Sequence, residues 1–378
     1  MSRDGAQLGR DYSLDGLRGI AILLVIALHT LHLQQSRLAW SWVNAVLKSG
    51  WIGVDLFFVL SGFLITSILI ATRDHPQRAR NFYMRRALRI LPAYYVYLAL
   101  TMLVLVFVVN QPVLTDQALD WLPSLLFFAQ NLTTAISVDT PPVREFNHLW
   151  SLAIEEQFYL LWPWLVWRLD LRALPRVCLI VIASAWGCKM LLAATDVWEH
   201  GIYVLPFTRM DGLAAGAYLA AHRALGGGAL PAWMRPLPWF GLLILLTVFF
   251  LQRGLLNHTA HITVLNTCAT VLLFAGLLHR TLVAQEDSLL RRILANPVLL
   301  FFGRYSYGLY LIHYGVDTWM RLYAQPLLET VIAGNLMRVF LASGSVALSV
   351  LLAMLLHRWV EAPALRLKTR FEYSQRPA

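Results

Sequence analysis

The sequence predicts an all-α fold: a polytopic membrane bundle of about ten transmembrane helices with both termini cytoplasmic. Three observations lead there. Hydrophobic residues make up 58% of the 378 residues and charged residues 14%, where a soluble domain carries about 25% charge. Apolar runs of bilayer-crossing length recur along the whole chain. The basic residues, which give a net charge of +10, gather in alternate loops as the positive-inside rule requires, so the charge needs no nucleic acid to explain it. Cys178, Cys188 and Cys268 all lie in apolar stretches, which predicts neither a disulfide framework nor a metal cluster.

In chain order the expected spans are 14–33, 51–72, 88–109, 148–168, 176–194, 203–222, 237–252, 260–279, 298–315 and 332–357. The apolar piece Trp121–Leu132 is too short to cross and is expected either to lie in the interface or to re-enter. Turns fall at Pro141-Pro142, Gly226-Gly227-Gly228 and Pro231 to Pro238. The first span carries His29 and His32 and lacks a small-residue cleavage site, unlike a cleavable signal. With a cytoplasmic N-terminus, the inner side collects Arg73, Arg78, Arg80, Arg85, Arg86 and Arg89, then Arg168, Arg172 and Arg176, then Arg280, Arg291 and Arg292 and the basic tail. The opposite loops hold Asp116, Asp120, Asp139, Asp196 and Glu199. No soluble domain is left over, so residues 1–378 are expected to form a single membrane domain.

Charge inside a span costs about 2.5–3.5 kcal/mol even on lenient scales, so each instance asks for a reason. Arg18 and His29 stand eleven residues apart, close to three helical turns, which places both on one face about 16 Å apart along the axis. The imidazole is the side chain suited to taking and returning a proton near neutral pH; a snorkelling arginine and a hydrogen-bonded core histidine account for the pattern equally well. His148 and Glu155 share a face of the fourth span with Ser151 and Tyr159 beside them, while Glu156 points elsewhere. Arg209 and Asp211 bring an ion pair, and Gly212 and Gly216 close packing, into the sixth span, where a structural role is expected. Ser306, Tyr310 and His313 fall at i, i+4 and i+7 on one face of the ninth. Arg86 and Arg89, at i and i+3 beside Arg85, form a cationic fork suited to phosphate oxygens, although topogenic charge against lipid phosphate would produce it too. No Walker-type or dinucleotide glycine pattern occurs.

Taken together, these segments resemble the acyltransferase-3 family of membrane O-acyltransferases. The resemblance rests on Asp15-Gly-Leu-Arg18 through His29, on Gly53-Val-Asp55 through Ser61-Gly62, and on Phe82 through Arg85-Arg86-Ala-Leu-Arg89 to Pro92. It continues in His148-Leu-Trp-Ser151 through Glu155, Arg209-x-Asp211, Ser306 through Tyr310 to His313, and Val360-Glu361-Ala362-Pro363. The match runs in order from about residue 12 to 366; the family's usual ending has Arg where this chain has Ala362. The resemblance implies transfer of an acyl group, commonly acetyl, from cytoplasmic acyl-CoA to a hydroxyl of an extracytoplasmic glycan or glycolipid. Mapped here, it makes His29 the general base or acyl carrier, with Arg18 and Glu155 as catalytic partners and Arg85, Arg86 and Arg89 as the site for CoA phosphates. Asp15, Asp55, Ser61, His148, Ser151, Arg209, Asp211, Tyr310 and His313 become supporting residues. Acetyl-CoA is then a co-substrate and no metal is implied. The expected location is the bacterial inner membrane, among membrane lipids, in the form without an additional extracytoplasmic hydrolase domain. A secondary transporter or glycolipid flippase, with Arg18, His29 and Glu155 along a proton or substrate path, is the competing reading.

Overall fold

A bilayer demands that each segment satisfy its own backbone hydrogen bonds, and among the described residues the membrane-length segments do so as helices. The structure, a computed structural model, describes residues 11–31, 38–137, 141–195, 199–255, 259–332 and 334–373. His32, Asp139 and Asp196 lie outside the described residues. The helices are α1 Tyr12–Thr30, α2 Leu38–Lys48, α3 Ile52–Ala71, α4 Arg78–Val104, α5 Pro112–Leu126, α6 Gln130–Ser137, α7 Trp150–Arg168, α8 Leu174–Ala194 and α9 Glu199–Val204. They continue as α10 Pro206–Ala224, α11 Leu237–Gln252, α12 Ala260–Val283, α13 Leu289–Leu294, α14 Pro297–Arg304, α15 Ser306–Trp319, α16 Gln325–Glu329, α17 Gly334–Leu356 and α18 Ala362–Arg366. Among the described residues there is no strand.

The molecule is an all-α integral membrane protein. Seven segments are long and apolar enough to cross: Tyr12–Thr30, Ser41–Ala71, Arg78–Val109, Leu174–Ala194, Ala232–Gln252, Ala260–Val283 and Gly334–Phe371. The other three expected spans coincide with α7 and α10, of 19 residues each, and α15, of 14. Glu155 and Glu156 on α7 and Arg209 with Asp211 on α10 lower the hydropathy of those two helices, whereas α15 is short because the helix breaks at Tyr305. Two boundaries shift for local reasons. The ninth span breaks at Tyr305, which leaves helical geometry (φ −96°, ψ 8°), and α15 runs on to Trp319. Pro206 begins α10 afresh after α9 because proline tolerates a first-turn position but not a helix interior. The Trp121–Leu132 piece is not one continuous helix; it bends at Phe128 (φ 53°) between α5 and α6.

Helix α1 packs on α3, α14 and α15, and α3 also contacts α10, α12 and α7. Small residues allow the close approaches: a Cβ on Gly62 would strike the Leu213 carbonyl, and one on Gly216 the Val59 carbonyl. Arg73 donates to the carbonyl of Leu169, so the ends of α3 and α7 meet at one arginine-rich end. At the opposite end Arg321 donates to the Thr30 carbonyl at 2.6 Å and to Asp317 at 2.6 Å, tying α15 to the end of α1.

Candidate active site

Residues from α1, α3, α4, α7 and α15 enclose a cavity of about 110 Å³ toward the arginine-rich end. Arg18, Arg86 and Arg89 line it together with Ser61, Ser151, Glu155, Tyr159, Ser306, Tyr307 and Tyr310. Arg18 is held by Asp15 at 3.0 Å, one turn earlier on α1. Arg86 lies over the rings of Tyr159 and Phe82, at 5.6 and 5.9 Å from their centroids. Glu155 accepts from the Tyr159 hydroxyl at 3.1 Å, and Tyr159 is hydrogen-bonded in turn to Ser61. The cavity therefore sets three guanidinium groups and several hydroxyls among apolar side chains that include Phe57, Phe58 and Leu64. Guanidinium forks recognise phosphate oxygens.

Beyond the far wall of this recess stands a cluster of imidazoles. Tyr310 bonds to the Ser151 hydroxyl and donates to the His148 carbonyl at 2.8 Å. Its ring lies 5.2 Å from His148 and 5.9 Å from His313. His29 Nδ1 and His313 Nε2 are 3.0 Å apart, and the edge of Tyr314 meets His29 at 4.7 Å. His313 Nδ1 is within 2.9 Å of the Leu309 carbonyl and 2.8 Å of the Tyr310 carbonyl. Carbonyls only accept, so His313 Nδ1 carries a proton. In the neutral ring Nε2 then offers a lone pair, and His29 must donate to it through Nδ1. That assignment, fixed by the hydrogen-bond network, leaves His29 Nε2 as the basic nitrogen. The second histidine thus sets the tautomer of His29, as a carboxylate or carbonyl partner commonly does.

The structure brings together Arg18, Asp15, Arg86, Arg89, Glu155, Ser61, Ser151 and Tyr310 around the cavity, and His29, His313 and His148 behind it. It does not bring Glu155 to His29; the carboxylate bonds to Tyr159 at the arginine side. Arg85 faces away, donating to the Lys368 carbonyl at 3.4 Å and lying 5.8 Å from the Tyr373 ring, so it clasps the C-terminal segment to α4. Arg209 and Asp211 pair not with each other but across helices. Arg209 binds Asp55, which also accepts from Thr270 at 2.5 Å. Asp211 binds Lys189 at 2.6 Å and accepts from Trp186 at 3.0 Å. Lys189, fully buried on α8, was missed by the sequence reading. Its signal was a lone charge in an apolar run, the same criterion that singled out Arg18.

The fold and this site define a helical integral membrane protein with a cationic recess and, beyond its far wall, a paired imidazole. Residues 11–357 match the acyltransferase domain family, and the chain belongs to that family. It is 29% identical to a peptidoglycan O-acetyltransferase OatA of Listeria monocytogenes serovar 1/2a, over 93% of this chain and 55% of that protein. An O-acetyltransferase OatA of Staphylococcus aureus strain NCTC 8325 is 28% identical over 96% and 59% respectively. A putative peptidoglycan O-acetyltransferase YrhL of Bacillus subtilis strain 168 is 30% identical over 80% and 48%. The chain thus spans less than two thirds of the length of these relatives. No solved structure matches it.

Proposed function

We propose that this protein is an acyl-CoA-dependent O-acetyltransferase of the bacterial inner membrane, acetylating a glycan hydroxyl on the extracytoplasmic side, with peptidoglycan as the acceptor. The observation that carries the reading is the His29–His313 pair immediately beyond a recess lined by Arg18, Arg86 and Arg89. The arginines bind the phosphates of CoA at the cytoplasmic mouth, and the thin pantetheine arm extends inward toward Ser151 and Tyr310. The Tyr310–Ser151 hydrogen bond closes the recess short of His29, so the thioester reaches the imidazole when that bond parts. His29 Nε2 takes the proton of the acceptor hydroxyl as its oxygen attacks the thioester carbonyl. The C–S bond breaks, CoA leaves as thiolate, and the proton passes from the imidazolium to the sulfur. His313 accepts from Nδ1 throughout and stabilises the transient cation. Peptidoglycan is favoured as acceptor by the activity named for the Listeria relative.

The test is transfer of radiolabelled acetyl from acetyl-CoA to a glycan by purified protein in lipid nanodiscs. His29→Ala is expected to lower turnover by on the order of a hundredfold to ten-thousandfold, the range of general-base contributions. Arg86→Ala combined with Arg89→Ala should weaken CoA binding by more than about tenfold through loss of charge-assisted bonds. Normal transfer by a folded His29→Ala protein would remove His29 from the mechanism, and unchanged CoA affinity in the double variant would move the donor site elsewhere.

A further inference from the structure

The segment after α18 is tied to the arginine face of α4. It makes one 3₁₀ turn, Leu367–Phe371, that packs on α4. Asn81 Nδ2 donates to the Glu372 carbonyl at 3.1 Å, and Arg85 donates to the carbonyls of Lys368 and Phe371 at 3.4 and 3.5 Å. The Arg80 guanidinium lies 5.4 Å from the centroid of the Phe371 ring. The Tyr373 ring meets Arg85 at 5.8 Å and the His75 ring at 5.3 Å. Arg85, which does not line the recess, therefore positions this segment.

The docking brings a further positive charge to the edge of the recess. The half-buried Lys368 stands within electrostatic reach of Arg89, Arg86 and Arg85, all of its own sign. Counter-charge is scarce. Arg18 has Asp15 at 3.0 Å, while Glu155 and Glu156 act on Arg86 from farther off. Among the described residues no carboxylate comes within ion-pair distance of Arg86, Arg89 or Lys368. Like charges gathered where water is partly excluded cost free energy. A fold that holds them together by hydrogen bonds leaves a site for an anion with more than one charged group. Topogenic charge accounts for a basic tail in solvent; it does not require Lys368 to be held against three arginines.

In the proposed reaction Arg86 and Arg89 take the phosphates at the mouth and the pantetheine arm points inward, so the nucleotide lies outside the recess. Lys368 does not line the recess and neighbours Arg89, which does. Besides its diphosphate, CoA carries a phosphate monoester on the ribose, and a monoester holds close to two negative charges at neutral pH. An ammonium is a compact point charge that suits it.

We infer that Lys368 forms a second phosphate subsite, which takes the ribose 3′-phosphate of the donor and so selects CoA over carriers that lack it. The inference rests on the acyl-CoA reading and adds the residue that reads the far end of the donor. The test is isothermal titration of the full-length protein, in phosphatidylcholine nanodiscs, with CoA and with 3′-dephospho-CoA. Wild type is expected to bind CoA more tightly by about tenfold. Lys368→Met keeps the aliphatic stem and removes the charge; it should lose about tenfold in CoA affinity and leave dephospho-CoA binding unchanged. Lys368→Arg should keep the preference. Lys368→Met should also melt no lower than wild type, because it relieves repulsion among cations, and this separates lost recognition from lost folding. Equal binding of the two carriers by wild type, or a preference that survives in Lys368→Met, overturns the assignment. An anionic lipid headgroup offers the same phosphate chemistry, so the titrations and melts are repeated in nanodiscs containing phosphatidylglycerol. A preference for CoA that persists there supports the donor. A Lys368→Met effect that appears only with phosphatidylglycerol, in melting and not in the CoA preference, gives the lysine to the lipid and overturns the subsite. Binding of neither carrier by folded wild type would overturn the acyl-CoA reading itself, and the subsite with it.

Discussion

His313 reaches His29 through a single hydrogen bond and holds its own far nitrogen against two carbonyls. If its contribution is to accept from His29 Nδ1, a side chain that also accepts there should substitute in part. His313→Ala is expected to lower turnover on the order of a hundredfold, toward the lower end of what base catalysis supplies. His313→Asn, whose amide oxygen can take the same bond, should recover a measurable share. Steady-state turnover of both variants checks this; equal loss in the two would make His313 a packing residue. At this scale the sequence is a good guide to what lies along one helix. Helical periodicity put Arg18 and His29 on one face and grouped Ser306, Tyr310 and His313. What it cannot carry is pairing across the fold. His29 and His313 are separated by 284 positions and Asp55 and Arg209 by 154, so the partner of the imidazole was expected to be Glu155 and the partner of Arg209 to be Asp211.

Between helices, the polar contacts and the small residues serve one purpose, holding α3, α8, α10 and α12 in register. The Asp55–Arg209 and Asp211–Lys189 pairs join α3, α10 and α8, and Thr270 and Thr267 bond α12 to Asp55 and Lys189, with Arg209 also lying over Tyr203 at 4.9 Å. Paired charges in the membrane interior are tolerable where each finds its counter-ion and hydrogen bonds. The backbones must approach closely for those pairs to form, which is why Gly62 and Gly216 face carbonyls of the opposing helix. Gly216→Ala is expected to destabilise by about 1–3 kcal/mol through overpacking. Gly187→Ala is the control, since a Cβ there meets nothing within 4 Å, and it should be neutral or slightly stabilising because alanine is the better helix former. Thermal melts of the purified variants decide this; equal melting temperatures would show that α10 can shift to admit the methyl. The close-packing role of Gly212 and Gly216 was readable from their spacing. The interruption at Tyr305 was not, because no proline or glycine at that position announces it.

For the whole molecule, the direction of the proposed transfer depends on which end faces the cytoplasm. The ends of α3 and α7 and the start of α4 hold Arg73, Arg78, Arg80, Arg85, Arg86, Arg89 and Arg168, and lysine and arginine excess near span ends marks the cytoplasmic side. The cationic recess opens from that half. Acyl-CoA, a polyanion, is confined to the cytoplasm, so the proposed reaction requires this orientation and no other. In a protein with Cys178, Cys188 and Cys268 replaced by alanine, new cysteines can report it. Asp74→Cys lies between α3 and α4 and Gln111→Cys between α4 and α5, and both positions are exposed. In spheroplasts a membrane-impermeant maleimide should label the cysteine at 111 at once and the one at 74 only after permeabilisation. The reverse pattern would put the arginine recess outside, where CoA does not reach it, and the acyl-CoA reaction would have to be abandoned even with the histidine pair intact.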